Sequence, residues 1–284
     1  MGAGLVTAPD RNVPGIPGAV ARQAARLDER LPGGVRYSHL GETADGRILL
    51  RIKGVGRFLI TGGAAIDYWV EPGAEPGAVD AFLWGAARSA LIHQRGELPF
   101  HACAVARPDG MSSIAICGPS GAGKSTTSAA LAGLGWRILA DDLSRITAHE
   151  GHALIWPGPA HVKLLPDACR DLAIDTSGLA AVGADDGKFL VPVPSHTDAT
   201  RLAAIVELGG EAHAPRLERL AGAEAIAVLS RHVVGRRKMR ALRSAKEHFS
   251  LVNGLAGVVS IWRLHGRASS SAAVLAGVIH GQFG

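Results

Sequence analysis

The feature that most constrains this chain is the run Gly118-Pro119-Ser120-Gly121-Ala122-Gly123-Lys124-Ser125, which fits G-x-x-x-x-G-K-[ST] at every fixed position. Glycines at this spacing let successive backbone N–H groups turn inward without a Cβ in the way. An apolar stretch, Ser112–Cys117, precedes the run, and a small-residue segment, Thr126–Leu134, follows it with Gly135 as its cap. Strand, glycine loop and helix is the framing a triphosphate cradle needs, because the helix adds its positive dipole end. Gly118 to Ser125, with Thr126 behind them, are therefore expected to bind ATP. In this arrangement Lys124 reaches the β and γ phosphates and the Ser125 hydroxyl ligates Mg²⁺.

A second strand, Trp136–Ala140, stops at Asp141-Asp142. In a strand–loop–helix–strand unit with parallel strands, both carboxyl ends open on one crevice, so the acidic pair is expected to face the phosphates. Adjacent side chains of an extended chain point to opposite sides. One carboxylate can then face the metal and the other an incoming hydroxyl. The reading adopted gives proton acceptance to Asp141 and the metal side, through water, to Asp142, with the reverse assignment open.

His101 enters through register. Arg107-Pro108-Asp109-Gly110 reads as a tight turn between His101–Ala106 and Ser112–Cys117. With Asp109-Gly110 at the tip, His101 falls opposite Gly118, at the mouth of the loop. There it is expected to hydrogen-bond one carboxylate and orient it.

This constellation resembles the catalytic domain of HPr kinase/phosphorylase, a P-loop protein kinase related in fold to phosphoenolpyruvate carboxykinase. The resemblance rests on His101 before the hairpin, the Gly118–Ser125 loop with Ser120, and the Ala140-Asp141-Asp142 strand end. It is specific over residues 98–146 and looser through Val162-Lys163-Leu164, Lys188–Pro194 and His248–Leu264. It implies an α/β HPr-kinase / PEP-carboxykinase-like core in which the histidine and aspartates handle the proton of a serine hydroxyl. Where that family carries Glu-x-Arg-Gly-Leu-Gly, this chain has Pro159-Ala160-His161-Val162-Lys163-Leu164. Its layout is more similar to the shorter HPr-kinase-like enzymes found with lasso-peptide gene clusters, which phosphorylate a serine, typically the C-terminal one, of a ribosomal precursor peptide. The resemblance thus implies a peptide or small protein as partner. A small-molecule kinase on the same fold and a nucleotide-dependent regulator are the competing readings; the retained acids and histidine argue against the latter, because a binding switch needs no proton acceptor.

The remaining sequence supplies the frame. Residues 1–34, rich in Pro and Gly, read as an arm with one short helix at Ala19–Arg30. Residues 35–97 read as a small β-rich subdomain: an antiparallel meander over Arg47–Ile52, Arg57–Thr61 and Ile66–Val70, then a helix over Ala78–His93. Residues 98–284 read as the kinase domain.

Hydrophobic residues make up 47% of the chain and charged residues 19%, which is material for a core and excludes a disordered tail protein. No stretch reaches the ~20 uninterrupted apolar residues of a membrane span, and no secretory leader is visible. Cys103, Cys117 and Cys169 have no CxxC spacing, so they read as core thiols of a cytoplasmic protein. Net charge is +5. Arg231, Arg236, Arg237, Lys238, Arg240, Arg243 and Lys246 form an acid-free run, read either as a solvated face or as a rim for an acidic peptide or phosphate. No helix-turn-helix pattern or aromatic stripe points to nucleic acid. Lys163 and Lys188 are further candidates for phosphate or substrate contact. His149-Glu150-Gly151-His152 reads as a polar turn rather than a metal site.

Overall fold

A computed structural model describes residues 9–182, 187–194, 196–235, 240–266 and 270–284. The fold is mixed α/β, and the chain divides into two compact units, Met1–Glu97 with Gly235–His248, and Leu98–Val234 with Phe249–Gly284.

In the first unit the described strands are β1 (Arg11–Asn12), β2 (Val20–Gln23), β3 (Val35–Arg36), β4 (Gly41–Ala44), β5 (Arg47–Ile52), β6 (Gly56–Thr61) and β7 (Ala65–Val70), in sheet order β1-β2-β7-β6-β5-β4-β3. The meander lies where the alternation put it, with Phe58 and Ile60 on β6 and Ile66 and Tyr68 on β7 all buried. The expected helix at Ala19–Arg30 is not formed. Val20–Gln23 is instead a strand, paired in parallel with β7 from Val20↔Ala65 to Gln23↔Tyr68. Sheet pairing that buries Ala21 completely outweighs the helical propensity of the Ala/Arg-rich segment. The helix expected over Ala78–His93 forms as α1 (Pro76–Phe82) and α2 (Arg88–Gln94), joined by a π-helical turn at Leu83–Ala87.

The second unit contains β8 (Leu98–Phe100), β9 (Ala102–Ala106), β10 (Ser113–Cys117), α3 (Lys124–Gly133), β11 (Arg137–Ala140), β12 (Ser144–His149), β13 (His152–Trp156), β14 (His161–Leu164) and α4 (Pro166–Asp171). It continues with β15 (Ala181–Val182), β16 (Lys188–Pro192), β17 (Thr200–Leu208), β18 (Arg216–Leu220), α5 (Gly222–His232), α6 (Ala245–Val258, from Phe249 on), β19 (Ser260–His265) and α7 (Ala272–Phe283).

Its main sheet runs β11-β9-β10-β17-β13-β12-β8, with β19 also on β17 and β18 on β19. β10, β17 and β19 are mutually parallel. β9 is antiparallel to both β10 and β11, so β10 and β11 point the same way. Their carboxyl ends, Cys117 and Ala140, therefore open on the same edge, as the sequence framing required.

Side-chain alternation gives this sheet a core on each face. Ala104, Ala115, Ile205 and Ile261 pack with Val228 and Leu229 of α5 and Val252 and Leu255 of α6. Val105, Ile116, Val206 and Leu264 pack with Leu131 of α3, Ile279 of α7, and Val162 and Leu164 of β14. β14, β16 and β15 form a separate three-stranded sheet. The His149–His152 segment is a hairpin tip with Glu150 and Gly151 both at positive φ, a polar turn.

Candidate functional site

The loop begins where β10 ends. β9 and β10 pair Cys117 with Ala102, the register that brings His101 opposite Gly118. Gly118 has φ +150°, and a Cβ there would lie 2.8 Å from the Leu208 carbonyl, so the β17 backbone lies against the root of the loop and only glycine fits. Pro119, Ser120, Gly121 and Ala122 carry the chain to Gly123, whose φ of +84° turns it into α3. Lys124, Ser125 and Thr126 form the first turn of that helix. Lys124 is buried, and its Nζ donates to the carbonyls of Gly118, 3.1 Å, and Pro119, 2.9 Å. The ammonium thus lies inside the curl of the loop.

The two aspartates follow β11 and part at once. Leu143 N donates to Asp141 O at 2.7 Å, closing a three-residue turn around Asp142, whose φ is +67°. A non-glycine residue in that region is strained and needs surroundings that hold it. The turn sends the two carboxylates to different partners.

Asp141 is buried. Its Oδ1 accepts from Ser125 Oγ at 2.8 Å and Cys103 Sγ at 2.8 Å, and its Oδ2 accepts from the Lys163 backbone N–H at 2.8 Å. Of the two acids it is Asp141, not Asp142, that accepts from the Ser125 hydroxyl.

Asp142 is half exposed, with His101 Nδ1 at 3.3 Å from Oδ1 and Lys163 Nζ at 3.2 Å from Oδ2. His101 Nδ1 also lies 2.9 Å from the Asp142 carbonyl. Burial alone would push the Asp142 carboxyl up. The ammonium of Lys163, the His101 ring and the charge of Lys188 outweigh it and hold the group below its ordinary value. Asp142 is therefore ionised at neutral pH.

Lys163 thus touches both acids, one through its backbone and one through its side chain. Cys103, which reads from sequence as a plain core thiol, is also in this cluster. Burial, then the charge of Asp141, push its thiol well above the ordinary range, so it is a neutral donor. Ser125 Oγ lies 3.7 Å from its sulfur.

Sequence reasoning missed Glu207. It is buried at the carboxyl end of β17, opposite Cys117, and is met by His232 Nε2 at 2.9 Å, Arg231 Nη1 at 2.8 Å and Arg263 Nε at 3.1 Å. Burial pushes this carboxyl up, but the bonds from His232 and Arg263 and the charge of Arg231 bring it below its usual value. The signal for it was a lone acid in the apolar run Ala203-Ala204-Ile205-Val206-Glu207-Leu208 just before Gly209-Gly210.

Of the basic run, Arg231 is paired to Glu207, and Arg243 donates to the His93 carbonyl. Arg236, Arg237 and Lys238 lie outside the described residues.

A hydroxyl at the start of a helix behind a glycine loop, and the carboxylate at a strand end that it donates to, are hard oxygen donors. Among the described residues no group of three His, Cys, Asp or Glu forms a closed metal cage. Ser125 and Asp141 nevertheless suit Mg²⁺, which keeps most of its waters and takes one or two protein oxygens beside phosphate. No helix among the described residues is long and apolar enough to cross a membrane.

No protein-family profile matches the chain, and no curated protein matches it by sequence. Among solved structures it is similar to the Hpr(Ser) kinase/phosphatase from Coxiella burnetii, at 10% identity and a TM-score of 0.36, over 65% of this chain and 89% of that one. At that identity and TM-score the likeness does not carry an activity across.

Proposed function

We propose that the chain is an ATP- and Mg²⁺-dependent kinase that transfers the γ-phosphate to a serine hydroxyl of a peptide or small protein. The observation that carries this reading is the division of labour between the acids. Asp141 is tied to Ser125 at the helix start, while Asp142, strained, ionised and half exposed, stands between His101 and Lys163.

The loop amides and the Lys124 ammonium would hold and neutralise the phosphates, and Ser125 with Asp141 would hold Mg²⁺, which would supply further neutralisation of phosphate charge. Of the two assignments the sequence left open, the one adopted is Asp141 as the metal-side carboxylate and Asp142 as the base.

The serine oxygen attacks the γ phosphorus, the bond from that phosphorus to the β-phosphate oxygen breaks, and ADP leaves. The hydroxyl proton passes to Asp142 and from there to solvent. A carboxylate of low basicity suffices, because in a loose transition state the proton moves late and alignment matters more than base strength. His101 fixes the direction of the Asp142 carboxylate, and Lys163 holds its other oxygen.

The acceptor proposed is a ribosomal precursor peptide of the lasso type, phosphorylated at its C-terminal serine. Support for this finer statement is the sequence resemblance around His101, Gly118–Ser125 and Asp141-Asp142. The test is mass spectrometry of such peptides incubated with the protein, ATP and Mg²⁺. A gain of one phosphate on serine, absent with Asp142→Asn, is expected. Nucleotide binding without transfer to any peptide or small alcohol would overturn the reading in favour of a regulator.

A further inference from the structure

We propose that Glu207 is a positioning residue: with His232 it sets the distance between the glycine loop and His101, and so the aim of Asp142. The links are all short. Glu207 stands opposite Cys117, the last residue before the loop, and the Leu208 carbonyl fills the space beside Gly118. Glu207 Oε1 meets His232 Nε2 at 2.9 Å. The His232 carbonyl accepts the His101 backbone N–H at 2.8 Å, and His101 Nδ1 meets the Asp142 carbonyl at 2.9 Å. Two further contacts, the Phe100↔Val233 bridge and Val234 N to Pro99 O at 2.9 Å, keep the segment after α5 running beside the strand that carries His101.

Stability alone does not explain these residues. A buried carboxylate held by two guanidinium groups and an imidazole is a weak source of folding energy, and apolar side chains of similar volume serve a core as well. What the group supplies is direction. Its Oε1 is shared by His232 and Arg231, its Oε2 is taken by Arg263, and Arg263 is itself held by Glu224 at 2.6 Å. Neither oxygen can rotate without breaking a charge-assisted bond.

Only the kinetic arm of the test rests on the kinase reading. Glu207→Gln keeps shape and removes charge; His232→Gln breaks the same link from the other side. The first readout is the NMR signal of the His101 ring, assigned by its loss in His101→Gln, which needs no activity. Each variant is expected to shift that signal while leaving ATP affinity within about threefold, and to lower kcat by about ten- to hundredfold with KM for ATP little changed, the scale on which small misplacements act. The double variant is expected to be no worse than the poorer single one, because both cut one path. An unmoved His101 signal in a folded variant overturns the proposal. So does failure of both variants to fold, which would make the pair a stability element. A shifted signal without any kinase activity in the parent protein would uphold the positioning role and sink the kinase reading instead.

Discussion

Ser125 Oγ stands 2.8 Å from Asp141 Oδ1, joining the first turn of α3 to the end of β11. The hydroxyl thus donates to a carboxylate that also accepts from Cys103 and the Lys163 N–H. Replacing Asp141 by Asn keeps an acceptor and removes the charge. Nucleotide binding in the absence of Mg²⁺ is expected to persist, the gain in affinity on adding Mg²⁺ to vanish, and turnover to fall by about 10²- to 10³-fold. Calorimetric titration with and without the metal checks this; a variant that keeps its Mg²⁺ response refutes the metal-side role.

Asp142→Asn should be the better-behaved lesion. Asn tolerates positive φ, so the fold is expected to survive with nucleotide affinity unchanged while transfer is lost. The pH profile distinguishes this base from a mere ligand. Because Lys163 and the His101 ring hold the Asp142 carboxyl below its ordinary value in the fold, its ionisation favours the folded state fully above the unfolded value and ceases to do so as pH falls through the folded one. The acid limb of kcat attributable to this group therefore lies below the ordinary Asp range. Removing the cation by Lys163→Ala raises the Asp142 pKa and moves that limb to higher pH. A limb that stays put would show that Lys163 does not tune the base.

Gly118→Ala combines a backbone at φ +150° with a Cβ placed 2.8 Å from a carbonyl oxygen. Backbone cannot yield as a flexible side chain can. We expect a loss of about 1–3 kcal/mol in stability, read by urea denaturation, together with weakened nucleotide binding. Gly121→Ala meets no atom within 4 Å, although its φ of +80° strains any side chain, so it should be the milder of the two.

All three cysteines are buried and unpaired, and burial raises each thiol above its ordinary pKa. Alkylation by iodoacetamide at neutral pH is expected to be slow in the folded protein and rapid in denaturant, followed by mass spectrometry. Fast labelling of Cys103 alone would mean that the pocket around Asp141 opens far more often than the packing allows.

The loop was legible because its glycines, lysine and serine are contiguous, and the hairpin register was legible because Asp109-Gly110 marks its tip. The separation of Asp141 from Asp142 was not. The two part through the turn at Asp142 rather than by alternation along an extended chain, and Lys163, which contacts both, arrives from another sheet. Long-range pairing likewise decided Val20–Gln23, where local propensity favours a helix and β7 offers a parallel partner. Glu207 could be seen as an oddity in an apolar strand; its meaning needed His232 and Arg263, which lie 25 and 56 residues further along.

One long strand serves two sets of neighbours. Thr200 and Arg201 pair with β13, while Ala204–Glu207 lie between β10 and β19. Sliding it by two residues would keep every side chain on its proper face, so the oily pattern cannot by itself choose among such alignments. The acid near its end can, since a shifted strand would strand that charge away from its imidazole and guanidinium neighbours. A residue that fixes alignment in this way also fixes how far Cys117, and the glycine turn that follows it, stand along the neighbouring strand.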